Sequence, residues 1–343
     1  MFPTGLLDGS SELVPGSAAI AGPPRGSAEL ALERDRLVEA ARGYAEASLA
    51  DATRRAYRSD LEDFSLWCHQ RQVASLPAAP ETVCLYLTDL AQRGRAVSTL
   101  GRRLAALKLA HRTGGHEPSP TEDVAVRQVM RGIRRTVGVA PRRQAAPLVI
   151  QQLRVLLAAN PDESVQDLQD YALLLLGFAF AGRASDLVSL DVSDLEFTDR
   201  GLLVHLRGSK TDQEKAGEVI AVPTGQHQET DPILAVRRWL SLSALTAGPV
   251  WRGVNRWGNL SSERLSTRGV TRAIRRAVAR TKMDPEHLSS HSLRAGFATS
   301  AAAAGASERS IAAQTRHRSM ATLRRYIRLA TAFDENAVSK VGL

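Results

Sequence analysis

The sequence predicts a mainly α-helical chain with a small antiparallel β-sheet, divided into two domains. Apolar residues recur at helical spacing through most of residues 37–137. A Gly, Pro and Arg-rich stretch without periodicity, Val-Gly-Val-Ala-Pro-Arg-Arg-Gln-Ala-Ala-Pro at 137–147, then interrupts the pattern. In the second half, 201–207 and 218–222 read as paired strands around a polar turn, with helical segments on either side. A length of 343 residues fits two domains, each able to bury a core.

Residues 1–36, rich in Gly, Pro, Ser and Ala, are expected to form a flexible arm, with a short helix starting near Ser27. A bundle of four or five helices is predicted for 37–138. Tyr57, Leu61, Phe64 and Cys68 form one apolar stripe. Pro80 suits a first helical position, and Gly94 the end of that helix. Ser98 and Thr121 are candidate caps for the next two helices, and Gly114-Gly115 stops the first of them. A linker is placed at 139–147. Residues 148–330 then form an α+β domain with helices near 149–158, 168–180, 233–244 and 267–281, and 331–343 an amphipathic tail with Phe333, Val338 and Val341 apolar.

The formal net charge of +9 favours a polyanionic partner. Acids are scarce between Arg93 and Arg112, and Arg102, Arg131 and Arg134 are candidate phosphate contacts. Arg268, Thr271 and Arg272 begin a helix whose first half suits a major groove. Cys68 and Cys84 have no metal-ligand spacing and read as buried free thiols of a reducing cytosol. No acidic cluster or His/Cys pattern suggests a metal, so neither metal nor cofactor is expected. The longest apolar run, 172–182, is too short to span a bilayer, and no signal peptide is evident; a cytoplasmic, DNA-associated protein is expected.

The chemistry concentrates in 290–328. His291 and Arg294 stand three apart and share a helix face. His317 and Tyr326 stand nine apart, which at about 100° per residue places them on opposite faces of one helix, so they meet only if the chain turns between them. A turn at Arg318-Ser319 with Ser319 as cap would allow this. A guanidinium fork matches two phosphate oxygens, imidazole moves protons near neutral pH, and a phenol can be a covalent nucleophile. Singly, each of these residues has an ordinary structural explanation. In order, Arg183 with Asp186, Lys210 in the hairpin tip, His291 and Arg294, His317, then Tyr326 resemble the tyrosine recombinase (phage integrase) family. Segments 90–100, 125–135 and 265–268 extend the resemblance, which covers about residues 37–330 and is Cre-like in character.

That resemblance implies two domains that clamp DNA, and strand exchange through a 3′-phosphotyrosine and a Holliday junction without metal or ATP. Tyr326 would be the nucleophile. Arg183 and Arg294 would hold the non-bridging oxygens, and Lys210 would protonate the departing 5′ oxygen. His291 would serve as acid/base partner of the phenol, His317 would donate to a phosphate oxygen, and Asp186 would support Arg183 or the imidazole. The family more often has Glu at the Asp186 position and commonly a small residue, Gly, where this chain has Arg316. The implied partner is double-stranded DNA with an inverted-repeat site, bound by a homotetramer on two sites, with 331–343 docking into a neighbouring protomer. The alternatives are a relaxing topoisomerase-like tyrosine enzyme and a DNA-binding accessory protein without activity.

Overall fold

A computed structural model describes residues 27–139, 145–159, 164–207, 217–317, 319–330, 338 and 341. The chain divides into two compact units, Met1–Arg142 and Arg143–Leu343.

The first unit contains helices α1 (Ser27–Ala47), α2 (Asp51–His69), α3 (Pro80–Gln92), α4 (Val97–Thr113) and α5 (Val124–Val137). Residues 27–36, expected within the arm, are the first turns of α1, and the rest of that arm lies outside the described residues. The predicted stripe turns Phe64 and Cys68 into a core shared with Trp67, Tyr86, Leu87, Leu100, Leu107 and Val126. Cys84 is half-buried, and both thiols are free. Two caps differ from expectation. Helix α4 already begins at Val97, so Ser98 lies inside its first turn and caps nothing. Helix α5 is capped by Asp123, whose carboxylate accepts from the Ala125 N–H at 2.7 Å, while Thr121 sits in the preceding 3₁₀ turn. Asp caps as well as Thr, and only Asp123 directly precedes the helix.

The second unit begins with α6 (Ile150–Ala158), α7 (Val165–Phe180) and α8 (Ala184–Ser189). Strands β1 (Leu195–Thr198), β2 (Gly201–Leu206) and β3 (Glu218–Pro223) follow, forming an antiparallel sheet in that order. Pairs Leu202–Val222 and Val204–Ile220 lie opposite one another, and all four side chains are buried, as strand alternation requires. Next come α9 (Pro232–Ser243), a short hairpin of β4 (Arg252–Val254) and β5 (Leu260–Arg264), then α10 (Thr267–Ala279), α11 (Ser290–Ala303), α12 (Glu308–Thr315) and α13 (Met320–Ala330).

Helix α7 is the hub. Leu173–Leu176 are buried on all sides of it, and α9, α10, α11 and β3 all pack against it. Such all-round burial matches its uninterrupted apolar run. A bidentate ion pair, Arg276 to Asp170 at 2.7 and 2.8 Å, pins α10 to α7. Helix α11 lies close to the chain entering α6: the Leu148 N–H donates to the Ser292 carbonyl at 2.9 Å. Gly296 permits this approach, since a Cβ there would stand 1.8 Å from the Leu148 carbonyl oxygen.

Gly296→Ala is therefore expected to destabilise the second unit by about 3 kcal/mol, the upper end of overpacking costs. The urea midpoint of that unit measures it; a change below about 0.5 kcal/mol would contradict the packing described.

Candidate active site

The end of α7 sets the site. Ala181 caps that helix in the left-handed conformation (φ 49°, ψ 21°), which turns its carbonyl outward. Arg294, buried on α11, donates from Nη1 to that carbonyl at 2.8 Å. A guanidinium at a helix C-terminus also meets the negative end of the helix dipole. Two residues on, Arg183 precedes α8, and its N–H donates to the Asp186 carboxylate at 3.3 Å. The Arg183 guanidinium stands 3.9 Å from the same carboxylate.

Asp186 is 3% exposed, and its main charged partner is Arg316, which donates from Nη2 to Asp186 Oδ2. Arg316 also donates from Nη1 to Glu218 at the start of β3, at 3.3 Å, and its guanidinium lies over the Phe180 ring with 5.3 Å to the centroid. Burial lowers the proton affinity of Arg294, and the Arg183 and Arg316 charges lower it further, to about 10. Arg294 remains charged at neutral pH, and Arg183 and Arg316 are close enough to act on it.

The turn after α12 delivers the remaining groups. Arg316 is left-handed (φ 54°, ψ 47°), so the chain already turns there, before the expected Arg318-Ser319, of which Arg318 lies outside the described residues. A side chain in this conformation costs roughly 1–2 kcal/mol relative to Gly, and the ion pairs to buried Asp186 and to Glu218 hold it there. Ser319 accepts through its main-chain carbonyl from Thr322 and Leu323 at the start of α13. Helix α13 packs on α11 and α12 through Leu323, with Tyr326 and Ile327 beside it. The His317 and Tyr326 rings come to 6.3 Å between centroids.

Thr315 fixes the imidazole. Its hydroxyl donates to the Ile311 carbonyl at 2.6 Å, so the same oxygen accepts from His317 Nδ1 at 2.7 Å. Burial first, then the Arg294 and Arg183 charges, lower the His317 pKa to about 4. At neutral pH the imidazole is neutral, with its proton on Nδ1 and a lone pair on Nε2.

Arg183, Asp186, Arg294, His317 and Tyr326 thus assemble in one place. His291 is exposed in the first turn of α11, its N–H on Ser289 Oγ at 3.3 Å. Arg294, one turn on, is buried. Lys210 lies outside the described residues, in the connection between β2 and β3. Sequence reasoning gave no structural part to Arg316 or Gln314. Gln314 donates to the carbonyls of Ala179 and Ala221 at 2.9 and 3.3 Å, tying α12 to α7 and β3.

The family model "Phage integrase family" matches residues 148–332, and "Phage integrase, N-terminal SAM-like domain" matches 44–113. An integrase/recombinase XerD homolog from Selenomonas ruminantium is 36% identical over 90% of each chain. The tyrosine recombinase XerC of Syntrophus aciditrophicus is 28% identical over 87% of this chain and 92% of that one. This chain belongs to the phage integrase family of tyrosine recombinases. Its activity is site-specific DNA recombination. The fold agrees: a λ integrase dimer bound to a COC′ core site superposes with TM-score 0.53 at 18% identity, over 86% of this chain and 93% of that one.

On the helical unit of the recombinase, Arg131 and Arg134 are exposed on α5, and no described acid pairs with them. Arg102 is placed differently, 3.0 Å from the buried carboxylate of Asp60. Lys108 and Arg112 pair with Glu122 at 2.6 and 3.2 Å. The α4 face is therefore largely neutralised by acids from outside 93–112. On α10, Arg268 and Arg272 are exposed, whereas Thr271 is half-buried and accepts from the Ser290 N–H at 3.2 Å. No helix among the described residues is long and apolar enough to cross a membrane.

The His317 environment sets a pH dependence. The folded chain keeps the imidazole neutral down to about pH 4, whereas the unfolded chain binds the proton near pH 6.5. This group therefore leaves stability unchanged above about pH 6.5 and lowers it as pH falls from there toward about 4. His317→Gln is expected to flatten the loss in that window, measured by urea midpoints. Parallel slopes for the two proteins would show that the imidazole is solvated.

Proposed function

We propose that the second unit cuts and rejoins duplex DNA by transesterification, with Tyr326 as the nucleophile. The phenol oxygen bonds to the scissile phosphorus as the bond to the 5′ oxygen breaks, leaving a 3′-phosphotyrosine and a 5′ hydroxyl. Arg183 and Arg294 hold the non-bridging oxygens, where negative charge grows in the transition state. Lys210 gives its proton to the departing 5′ oxygen. The incoming 5′ hydroxyl of a second strand then reverses the steps and passes through a Holliday junction. One phosphodiester replaces another, so no nucleotide is consumed, and the fixed guanidiniums supply the cationic charge that a metal would supply elsewhere.

The observation that carries this reading is the guanidinium pair, Arg294 buried and Arg183 half-buried, beside the His317–Tyr326 contact. Neutral His317, with Nε2 as acceptor, suits removal of the phenol proton, the part first assigned to His291. The negative charge of a bound phosphate raises the affinity of the imidazole for that proton. His291 at the rim then serves as a donor to a phosphate oxygen. Asp186 acts through the arginines.

Arg131 and Arg134 on the helical unit contact phosphates, and Arg268 and Arg272 on α10 approach base edges. Arg102 and Thr271 adjoin the DNA with their structural bonds kept. The target is double-stranded DNA with inverted-repeat half-sites, bound by a homotetramer on two sites in the cytoplasm. The segment 331–343, outside the described residues except at 338 and 341, docks on a neighbouring protomer.

Tyr326→Phe is expected to keep DNA affinity within about threefold and to form no denaturant-stable protein–DNA adduct. Absence of an adduct from the unaltered protein on every duplex of a random-sequence pool would overturn the reading. Cleavage should persist in excess chelator; loss in EDTA with recovery on adding Mg²⁺ would contradict the part given to the arginines. Arg131→Ala is expected to weaken binding to all sequences, whereas Arg268→Ala should relax preference at one base pair, by about 1–3 kcal/mol. Selection from the same pool reads this difference.

A further inference from the structure

The geometry points to Arg316 as a positioning residue: by bridging Asp186 and Glu218 it fixes the left-handed turn that places His317, and through α13 Tyr326, against the arginine pair. This inference rests on the recombinase reading and adds to it a residue with no part in the family pattern, where a small residue is common at this position.

Four observations carry it. Arg316 is 7% exposed although charged, so its partners determine where it lies. Those partners come from two separate elements, Asp186 on α8 and Glu218 at the start of β3. Its backbone is left-handed at the residue directly before His317. Its charge also reaches Arg294, so it belongs to the same cluster of cations.

Bridging is work for a planar fork. The two Nη atoms of one guanidinium diverge toward two carboxylates, which a single ammonium cannot reproduce. The Nε of Arg316 has no hydrogen-bond partner, so both Nη contacts set its orientation. Glycine would adopt the same backbone more readily but would adopt many others as well, and the position of His317 would no longer be tied to Asp186 and β3. Arg183, whose guanidinium is 3.9 Å from Asp186, would also be drawn onto that carboxylate once Arg316 is gone. Both changes act on reaction geometry, and neither removes a DNA contact.

The test measures single-turnover adduct formation and DNA affinity in parallel, on duplexes selected by covalent trapping from a random-sequence pool. Arg316→Gly is expected to slow adduct formation about 100-fold, as for a misplacement on the order of 1 Å, with affinity within about threefold. Arg316→Lys should fall between that variant and the unaltered protein. Glu218→Gln leaves the Asp186 pair in place, protects against a folding failure, and should show a smaller loss in rate alone. The losses should persist well below the melting transition.

An Arg316→Gly rate within about threefold of the original would overturn the inference and leave the recombinase reading intact. Rate and affinity falling together and recovering on cooling would also overturn it, because the residue would then serve only stability. If the unaltered protein forms no adduct on any duplex, the recombinase reading fails first and the inference falls with it.

Discussion

A single buried carboxylate allows three guanidinium groups to gather inside the catalytic unit. Arg183 and Arg316 stand close enough to act on the charge of Arg294, and Asp186 lies among them with 3% of its surface exposed. Cations brought together out of water repel one another and lose hydration, and only a paired anion and aimed carbonyls offset both costs. Asp186 supplies the anion, and the left-handed Ala181 supplies a carbonyl for Arg294. Positive charge still predominates. A phosphodiester gains negative charge as it becomes five-coordinate, so under the proposed mechanism a site prepared this way favours the transition state over the ground state.

The rest of the second unit holds that cluster at fixed geometry. Helix α7 ends at Phe180, where the left-handed Ala181 caps it, and Gly296 allows α11 to come close enough for Arg294 to reach that end. Gln314 and Arg316 then fasten the α12 turn to α7, α8 and β3. Tyr326 rides on α13, which packs on α11 and α12 through a small cluster around Leu323. Tyr326, the proposed nucleophile, thus sits on a helix with one fully buried side chain, Leu323, among its described residues, next to cations anchored in the main core. A group that must approach and leave a phosphorus atom is well served by that contrast.

Much of this was legible in the sequence. Periodicity gave a first unit of four or five helices, of which five are present, and the buried character of α7, and alternation gave the β2–β3 pair. Strand β1, with four residues, and the short β4–β5 hairpin left too little pattern to read. The convergence of Arg183, Arg294, His317 and Tyr326 came from the ordered resemblance, since spacing alone could not bring segments more than a hundred residues apart together. Charge reading missed partners that are distant in sequence. Arg102 looked free because acids are scarce around it in sequence, yet Asp60 of α2 reaches it. Arg316 looked like a departure from pattern, and its place became readable only with Asp186 and Glu218 beside it.

Mass mapping of the trapped protein–DNA adduct would decide whether these groups act on one phosphorus. After nuclease and protease digestion, the nucleotide remnant should be found on the peptide containing Tyr326, linked through the phenol oxygen. A remnant on any other residue, with Tyr326 recovered unmodified, would contradict the arrangement described.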